Sequence, residues 1–345
     1  VVLYLHPSDM VFLNIDVTKP VSEIQITGDR LIINRHLIRE AHEFSLTNQK
    51  FMNNFVGIVS MREDAFLEYI DNLWQPFEQR FDTFVKEKNI TDRYFVNSQS
   101  VILLYSKSGI LLRYPGWHRQ FKTGAGFQPS EAYYSFLSGL DIDDPHWLDI
   151  REYREFLGYY LDYKTGLLES SFGHLKGKNY HPFRLKMQTA IEIFSEPEIL
   201  NAVLHPIMKK LLSEYYHNGI DDLVALYKSR CTNDDYKNEI DHMLEWDRSV
   251  REKCSIETYK TTGDTELDVF IYMPEDTAEG DKRPAVAFFH GGGWECGKPE
   301  WGHTQCEHFS GQGLVAMSFE YRLETQHGTT PLECIADTRS AIRWI

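Results

Sequence analysis

Three consecutive glycines set directly behind a strand-ending histidine constrain this chain more than any other feature. The run Ala285-Val286-Ala287-Phe288-Phe289 has the length and bounding of a fully buried strand, and Pro284 marks its start. It stops at His290, and Gly291, Gly292 and Gly293 follow before Trp294 closes the turn. Glycines in series let a backbone take φ > 0 and let its N–H groups approach another molecule, because no Cβ intervenes. A plain Gly-rich turn behind a core strand is the simpler reading. The strand context favours a turn that presents its backbone donors.

The residues around that stretch alternate between strand and helix signals. Residues 256–259 and 267–272 alternate in polarity and flank Thr262-Gly263-Asp264, which predicts a hairpin. A polar loop over 275–282 leads to the strand at 285. Residues 302–313 should carry a helix, and 314–319 a second buried strand. Pro331 then opens a helix with Leu332, Ile335, Ala336, Ile342 and Trp344 at its apolar positions. Hairpin, strand, helix, strand, helix points to an α/β fold over 251–345, a mostly parallel sheet with helices on both faces.

Upstream, the chain reads as an α+β domain over 1–194 and a helical segment over 195–250, a cap or linker. Apolar runs at 1–5 and 11–15, the Gly28-Asp29 turn and the run 31–33 predict strands with a hairpin near 28–29, then a helix in the forties. Ser60 and Glu63 have capping-box spacing. Behind them Phe66, Ile70, Leu73, Phe77, Phe81 and Phe84 fall on one helical face, which Pro76 should kink or split. Residues 100–105 and 110–114, joined by Ser106-Lys107-Ser108-Gly109, predict a hairpin. The segment 115–183 reads as aromatic-rich loops and short elements. Ser195 and Glu198 form a second capping-box pattern, Pro206 should break or kink that helix, and Asn218-Gly219 should end it. Asn233 should cap a further helix with Tyr236, Ile240, Met243, Leu244 and Trp246 on its apolar face.

The length of 345 residues implies two or three domains. A net charge of −15 argues against a nucleic-acid surface, since phosphate binding needs clustered Lys and Arg. No apolar run approaches the length of a membrane span. The chain opens Val1-Val2-Leu3 without Met, so the presence of a leader is not legible from it. The five cysteines (Cys231, Cys254, Cys296, Cys306, Cys334) lack metal spacing, which favours free thiols, with a Cys296–Cys306 bridge left open. His118, His146, His174 and His181 are scattered and read as surface or structural. No metal or cofactor is implied.

His290-Gly291-Gly292-Gly293-Trp294, then Glu320-Tyr321-Arg322-Leu323, then Pro331, Asp337, Ala341 and Trp344 resemble the opening half of the hormone-sensitive-lipase-like α/β hydrolases. The wording of 318–345 is most similar to the carboxylesterases and carbohydrate-ester esterases among them. The resemblance covers about 250–345 and departs from the commonest pattern at Glu324-Thr325-Gln326-His327. It implies an incomplete N-terminal part of an α/β-hydrolase sheet and a serine esterase acting on a small-molecule or carbohydrate ester. It also implies that Gly292 and Gly293 supply oxyanion-hole donors, with His290, Gly291, Tyr321 and Arg322 supporting the loop. Trp294 would wall the pocket or pack in the core. Asp337 sits too early in the fold to be a triad acid. The nucleophile of such enzymes lies in Gly-x-Ser-x-Gly, followed by an acid and a histidine. That pentapeptide is absent here, so the resemblance places the triad beyond Ile345 and this chain alone should be inactive.

Between about 60 and 195 the order of long helix, hairpin, aromatic loop (FQPSEAYYSF) and YLDYKTGLLESS is similar to the Cache class of extracytoplasmic ligand-sensing domains. It implies an alternative function, a ligand-binding sensor or interaction protein working through residues 1–230.

Overall fold

Aromatic side chains at helical spacing organise the first part of the chain. The computed structural model describes all residues except 1–2, 21–22, 123–125, 177, 179, 216–218 and 279. Val1 and Val2 of the first apolar run and Asn218 of the expected helix stop therefore lie outside the described residues. Two compact units divide the chain, Val1–Tyr163 and Lys164–Ile345.

The first unit opens with strands β1 (Val11–Asn14) and β2 (Gln25–Gly28), paired antiparallel with Val11 opposite Gly28. The Gly28-Asp29 turn ends the hairpin instead of joining its strands, and residues 31–33 start a helix. Helices α1 (Leu31–Asn53), α2 (Phe55–Val59), α3 (Glu63–Glu87) and α4 (Arg93–Phe121) follow. Phe66, Ile70, Phe77, Phe81 and Phe84 of α3 are buried as the spacing demands, and α3 runs through Pro76 without ending. Phe66 stacks on Tyr114 of α4 at 4.0 Å within a cluster that also holds Phe51, Trp74 and Tyr133.

Two local expectations fail here. Arg62, not Ser60, caps α3, and the Glu63 carboxylate accepts instead from the Ser130 N–H and hydroxyl at 2.8 and 2.6 Å. The hairpin expected over 100–114 is the middle of continuous α4. Its apparent turn is absorbed because the Ser108 hydroxyl donates to the Leu104 carbonyl at 2.8 Å, while Gly109 lets the helix pack against the Tyr159 ring. Among the described residues the α+β character of 1–194 therefore reduces to β1–β2, and the Cache-like order of pieces loses its hairpin.

Helix α5 (Arg151–Leu168) carries the chain into the second unit, where α6 (His181–Ile193), α7 (Pro197–Glu214), α8 (Asp221–Arg230) and α9 (Asp234–Arg251) precede the sheet. Glu196 rather than Ser195 is the cap residue of α7, Pro197 occupies its first turn, and Pro206 is carried inside it. Asn233 caps α9 as its position suggests, accepting from the Tyr236 N–H at 3.0 Å. Ile240 of the expected apolar face is buried, but Trp246 is exposed.

The sheet contains β3 (Ser255–Thr262), β4 (Thr265–Tyr272), β5 (Ala285–Phe289) and β6 (Val315–Phe319), in the order β3-β4-β6-β5. Gly263, at φ +58°, makes the β3–β4 turn. Only β5 and β6 are parallel, whereas β3–β4 and β4–β6 are antiparallel. The sheet is therefore mixed, not mostly parallel, because the hairpin joins it through β4. Both faces are covered. Val269 and Ile271 share a cluster with Ala341 of α12 (Pro331–Trp344), while Phe270 and Tyr272 meet Cys306 of α10 (His303–Ser310). That split is the two-residue period of a strand buried on both sides. A single turn, α11 (Glu324–His327), links β6 to α12. Thr330 and Glu333 form the capping box that starts α12. Its buried positions are Cys334, Asp337 and Ala341, and the apolar residues expected to pack, Leu332, Ile335 and Ile342, face outward.

Candidate functional site

Strand β5 is parallel to β6 in register, with Phe289 opposite Phe319, so its end delivers His290 beside Tyr321. The imidazole lies flat on the Tyr321 ring, with centroids 4.3 Å apart and planes 14° apart. His290 Nδ1 donates to the Gly291 carbonyl at 2.9 Å, which assigns the proton because a carbonyl can only accept. Its buried Nε2 has no hydrogen-bond partner among the described residues. Burial pulls the pKa of His290 down to about 4, so the ring is neutral at pH 7 and poorly suited to act as a base.

Beyond His290 the backbone turns through three successive left-handed residues. Gly292 has φ +124°, Gly293 +64° and Trp294 +66°. A Cβ on Gly292 would lie 1.9 Å from the Cys296 carbonyl oxygen, so only glycine fits there. The Gly292 carbonyl turns inward and accepts from Glu295 and Cys296 N–H at 3.1 and 3.2 Å. Among the described residues nothing accepts from the N–H of Gly292 or Gly293. Trp294 is 49% exposed, which leaves the side chain outside the core. Its carbonyl accepts from Glu324 N–H at 3.0 Å, tying the turn to α11.

Glu295 and residues 324–328 form one wall of a cleft of about 1440 Å³, whose other walls include Glu169, Lys176, Lys178 and His181. Of residues 290–297 the lining includes Glu295, and it is polar with mixed charge. Gln326 and His327 line it too, and the Leu323 N–H donates to His327 Nδ1 at 3.0 Å. No group of three His, Cys, Asp or Glu side chains suited to a metal occurs among the described residues. All five cysteines are free thiols.

The other residues singled out from the sequence divide into two sets. Tyr321 reaches the turn directly, its hydroxyl donating to the His290 carbonyl at 2.6 Å. Arg322 points to α12, where its Nε and an Nη donate to the two Asp337 oxygens at 2.8 and 2.9 Å. Asp337 is fully buried and also accepts from Lys260 of β3 at 2.6 Å. Hydrogen bonds from Arg322 and Lys260 hold its carboxyl below the usual range despite the opposing effect of burial. Arg322 therefore fixes the strand–helix frame, not the glycine turn itself.

Sequence reasoning missed Gly297. Its φ is +121°, and a Cβ there would meet His290 Nδ1 at 2.0 Å. A fourth glycine four residues past Gly293 was the available signal. Glu320, named in the sequence only as part of the resembling motif and given no role, is buried with its carboxylate accepting from Asp268 N–H at 3.1 Å. Burial drives its pKa well above the ordinary value. A carboxylate at the end of a buried strand gives no such signal in sequence.

Residues 267–345 match the BD-FAE family model. Among solved structures the chain is similar to an esterase from the Planctomycetes species Thermogutta terrifontis. The native form is 41% identical over 27% of this chain and 33% of that chain, with a TM-score of 0.26. Its propionate-bound form is 38% identical over 29% and 36%, with a TM-score of 0.28. This chain thus spans about a third of the length of the esterase structures it matches. No curated protein matches. The stretch from β4 through the glycine turn to α12, residues 267–345, is a BD-FAE domain, an esterase domain of the α/β-hydrolase kind.

Proposed function

We propose that this chain contributes the anion-binding half of a serine carboxylic ester hydrolase, with Gly292 and Gly293 as oxyanion donors. The observation that carries the reading is the pair of adjacent left-handed glycines whose N–H groups have no acceptor among the described residues. Ester hydrolysis passes through a tetrahedral intermediate whose oxygen carries negative charge. Donors fixed in advance at that oxygen contribute about 2.7–4 kcal/mol each, judged by the loss when one is removed. His290 and Gly291 act here as scaffold, Tyr321 as the clamp on the turn, and the exposed Trp294 as a wall that the substrate meets.

No Gly-x-Ser-x-Gly occurs in the 345 residues. In this reading the nucleophile, acid and base are supplied by sequence C-terminal to Ile345, and the residue after the serine adds a further N–H donor. The substrate is a small carboxylic ester, with an acylated carbohydrate as the alcohol class suited to the polar cleft lining. The alternative of a ligand sensor in residues 1–230 loses the hairpin that motivated it, because residues 100–114 are helical.

The test is hydrolysis of p-nitrophenyl acetate by the full-length gene product beside the 345-residue chain. Turnover is expected from the longer protein only, and Gly293→Ala should lower its kcat. A downstream sequence without the serine pentapeptide, or turnover by the 345 residues alone, would overturn the assignment.

A further inference from the structure

The last turn of an α-helix leaves carbonyls without intrahelical partners, and they must find donors elsewhere. At the end of α7 those donors come from the segment just behind the glycine turn. Lys298 Nζ donates to the Leu212 carbonyl at 2.6 Å, Trp301 Nε1 to that of Ser213 at 3.1 Å, and the Gly297 N–H to that of Glu214 at 2.6 Å. Tyr215 and Gly297 then form a parallel bridge. Three successive carbonyls are thus taken by three residues within a five-residue stretch.

The arrangement is electrostatically favourable as well. The end of a helix carries partial negative charge, and Lys298 brings a buried ammonium to it. The same ammonium lies 2.9 Å from Asp247 Oδ1 of α9, so two helices hold one side chain. Gly297 passes the restraint onward, because it lies against the His290 ring and the Gly291 carbonyl too closely for a Cβ. The path runs from the end of α7 through Gly297 to His290, and from His290 into the glycines.

We propose that α7 and α9 brace the glycine turn, and that Lys298 is a positioning residue for the N–H groups of Gly292 and Gly293. The helical segment is then an integral part of the site, neither a lid nor a linker. Preorganised donors act only if they are already aimed, and a displacement of about 1 Å costs on the order of 100-fold in rate. The inference rests on the proposed oxyanion role for its catalytic consequence, but not for its structural one.

Two readouts separate those consequences. In the 345-residue chain, Lys298→Met and, separately, Trp301→Phe should speed amide exchange of Glu295, Cys296 and Gly297, whose N–H groups are hydrogen-bonded, roughly tenfold or more, while β6 and α12 exchange as before. Trp301 is partly exposed, so its substitution tests the brace even if Lys298→Met fails to fold. Unchanged exchange in the turn of a folded Trp301→Phe variant overturns the proposal. In the full-length gene product the same variants should lower kcat for p-nitrophenyl acetate on the order of tenfold with KM unchanged. Equal kcat in wild type and variants also overturns the brace. A wild type without turnover sinks the esterase reading alone, and the exchange result still judges the brace.

Discussion

The Tyr321 hydroxyl donates to the main-chain carbonyl of His290 while the Tyr321 ring covers the His290 imidazole. One side chain thus holds both the backbone and the side chain of the residue at which β5 becomes the glycine turn. A phenylalanine keeps the stacking and loses the hydrogen bond. Tyr321→Phe should therefore destabilise the second unit by about 1 kcal/mol, read from urea unfolding. An unchanged unfolding midpoint would show that the bond contributes nothing.

Asp337 accepts from two cations, Arg322 and Lys260. Removing its carboxylate leaves Arg322 and Lys260 facing each other without an anion. Asp337→Ala should cost about 3–5 kcal/mol, the range for breaking one side of a buried pair. Arg322 and Lys260 remain partly solvated, so the lower end is expected. A loss under about 1 kcal/mol, the size of an exposed pair, would contradict the buried geometry.

His290 gives a signed pH prediction. Its folded pKa of about 4 lies below the ordinary 6.5, so the unfolded chain binds the proton more tightly. The stability this group contributes is present above pH 6.5 and is lost as pH falls from 6.5 toward 4. The size of the effect is on the order of 3 kcal/mol at most. Unfolding of wild type and His290→Gln should be compared at pH 7.5 and pH 5, with wild type losing more. Parallel pH slopes would mean that His290 is not held neutral by the fold.

Gly297 and Gly293 both have positive φ, yet they differ in surroundings. A Cβ on Gly293 meets open space, while one on Gly297 strikes the imidazole. Gly293→Ala should cost only the strain of a left-handed alanine, about 1 kcal/mol. Gly297→Ala should cost more than about 2 kcal/mol, in the range of a core clash. Thermal melts of the two variants decide the matter, and equal losses would rule out close packing at Gly297.

Strand β5 stands at one edge of the described sheet, and α12 turns Leu332, Ile335 and Ile342 outward. An open edge and an outward apolar surface each favour association. The 345-residue chain should sediment as larger species with rising concentration, and Leu332→Lys with Ile342→Glu should reduce this. A monomer at every concentration would count against an adhesive face.

Where local chemistry decides the conformation, residues could be read directly. The β3–β4 hairpin, the strand before His290, the α3 stripe and the Asn233 cap each depend on a few adjacent side chains. Failures came where distant packing overruled a local signal. Ser106 to Gly109 has turn composition, yet Tyr159, fifty residues on, makes a helical glycine useful there. Pro76 and Pro206 sit inside helices that continue past them, so the splitting half of that expectation does not occur. Leu332 and Ile342 looked like a core face, but Asp337 takes the buried side because Arg322 and Lys260 await it. At the site, the glycines were legible and their supports were not. Tyr321 was visible only through resemblance, and the contacts of Lys298 with α7 join positions about 86 apart in sequence.

The bonds between the end of α7 and residues 297–301 also bear on inheritance. The recognisable family stretch begins at residue 267, but the surface that shapes its turn begins with a helix at residue 197. Recombination that exchanged one segment without the other would preserve every residue of the motif and still discard three of its supports. The two segments should therefore travel together through descent, and a graft of the glycine motif onto another scaffold must bring a helix end with it.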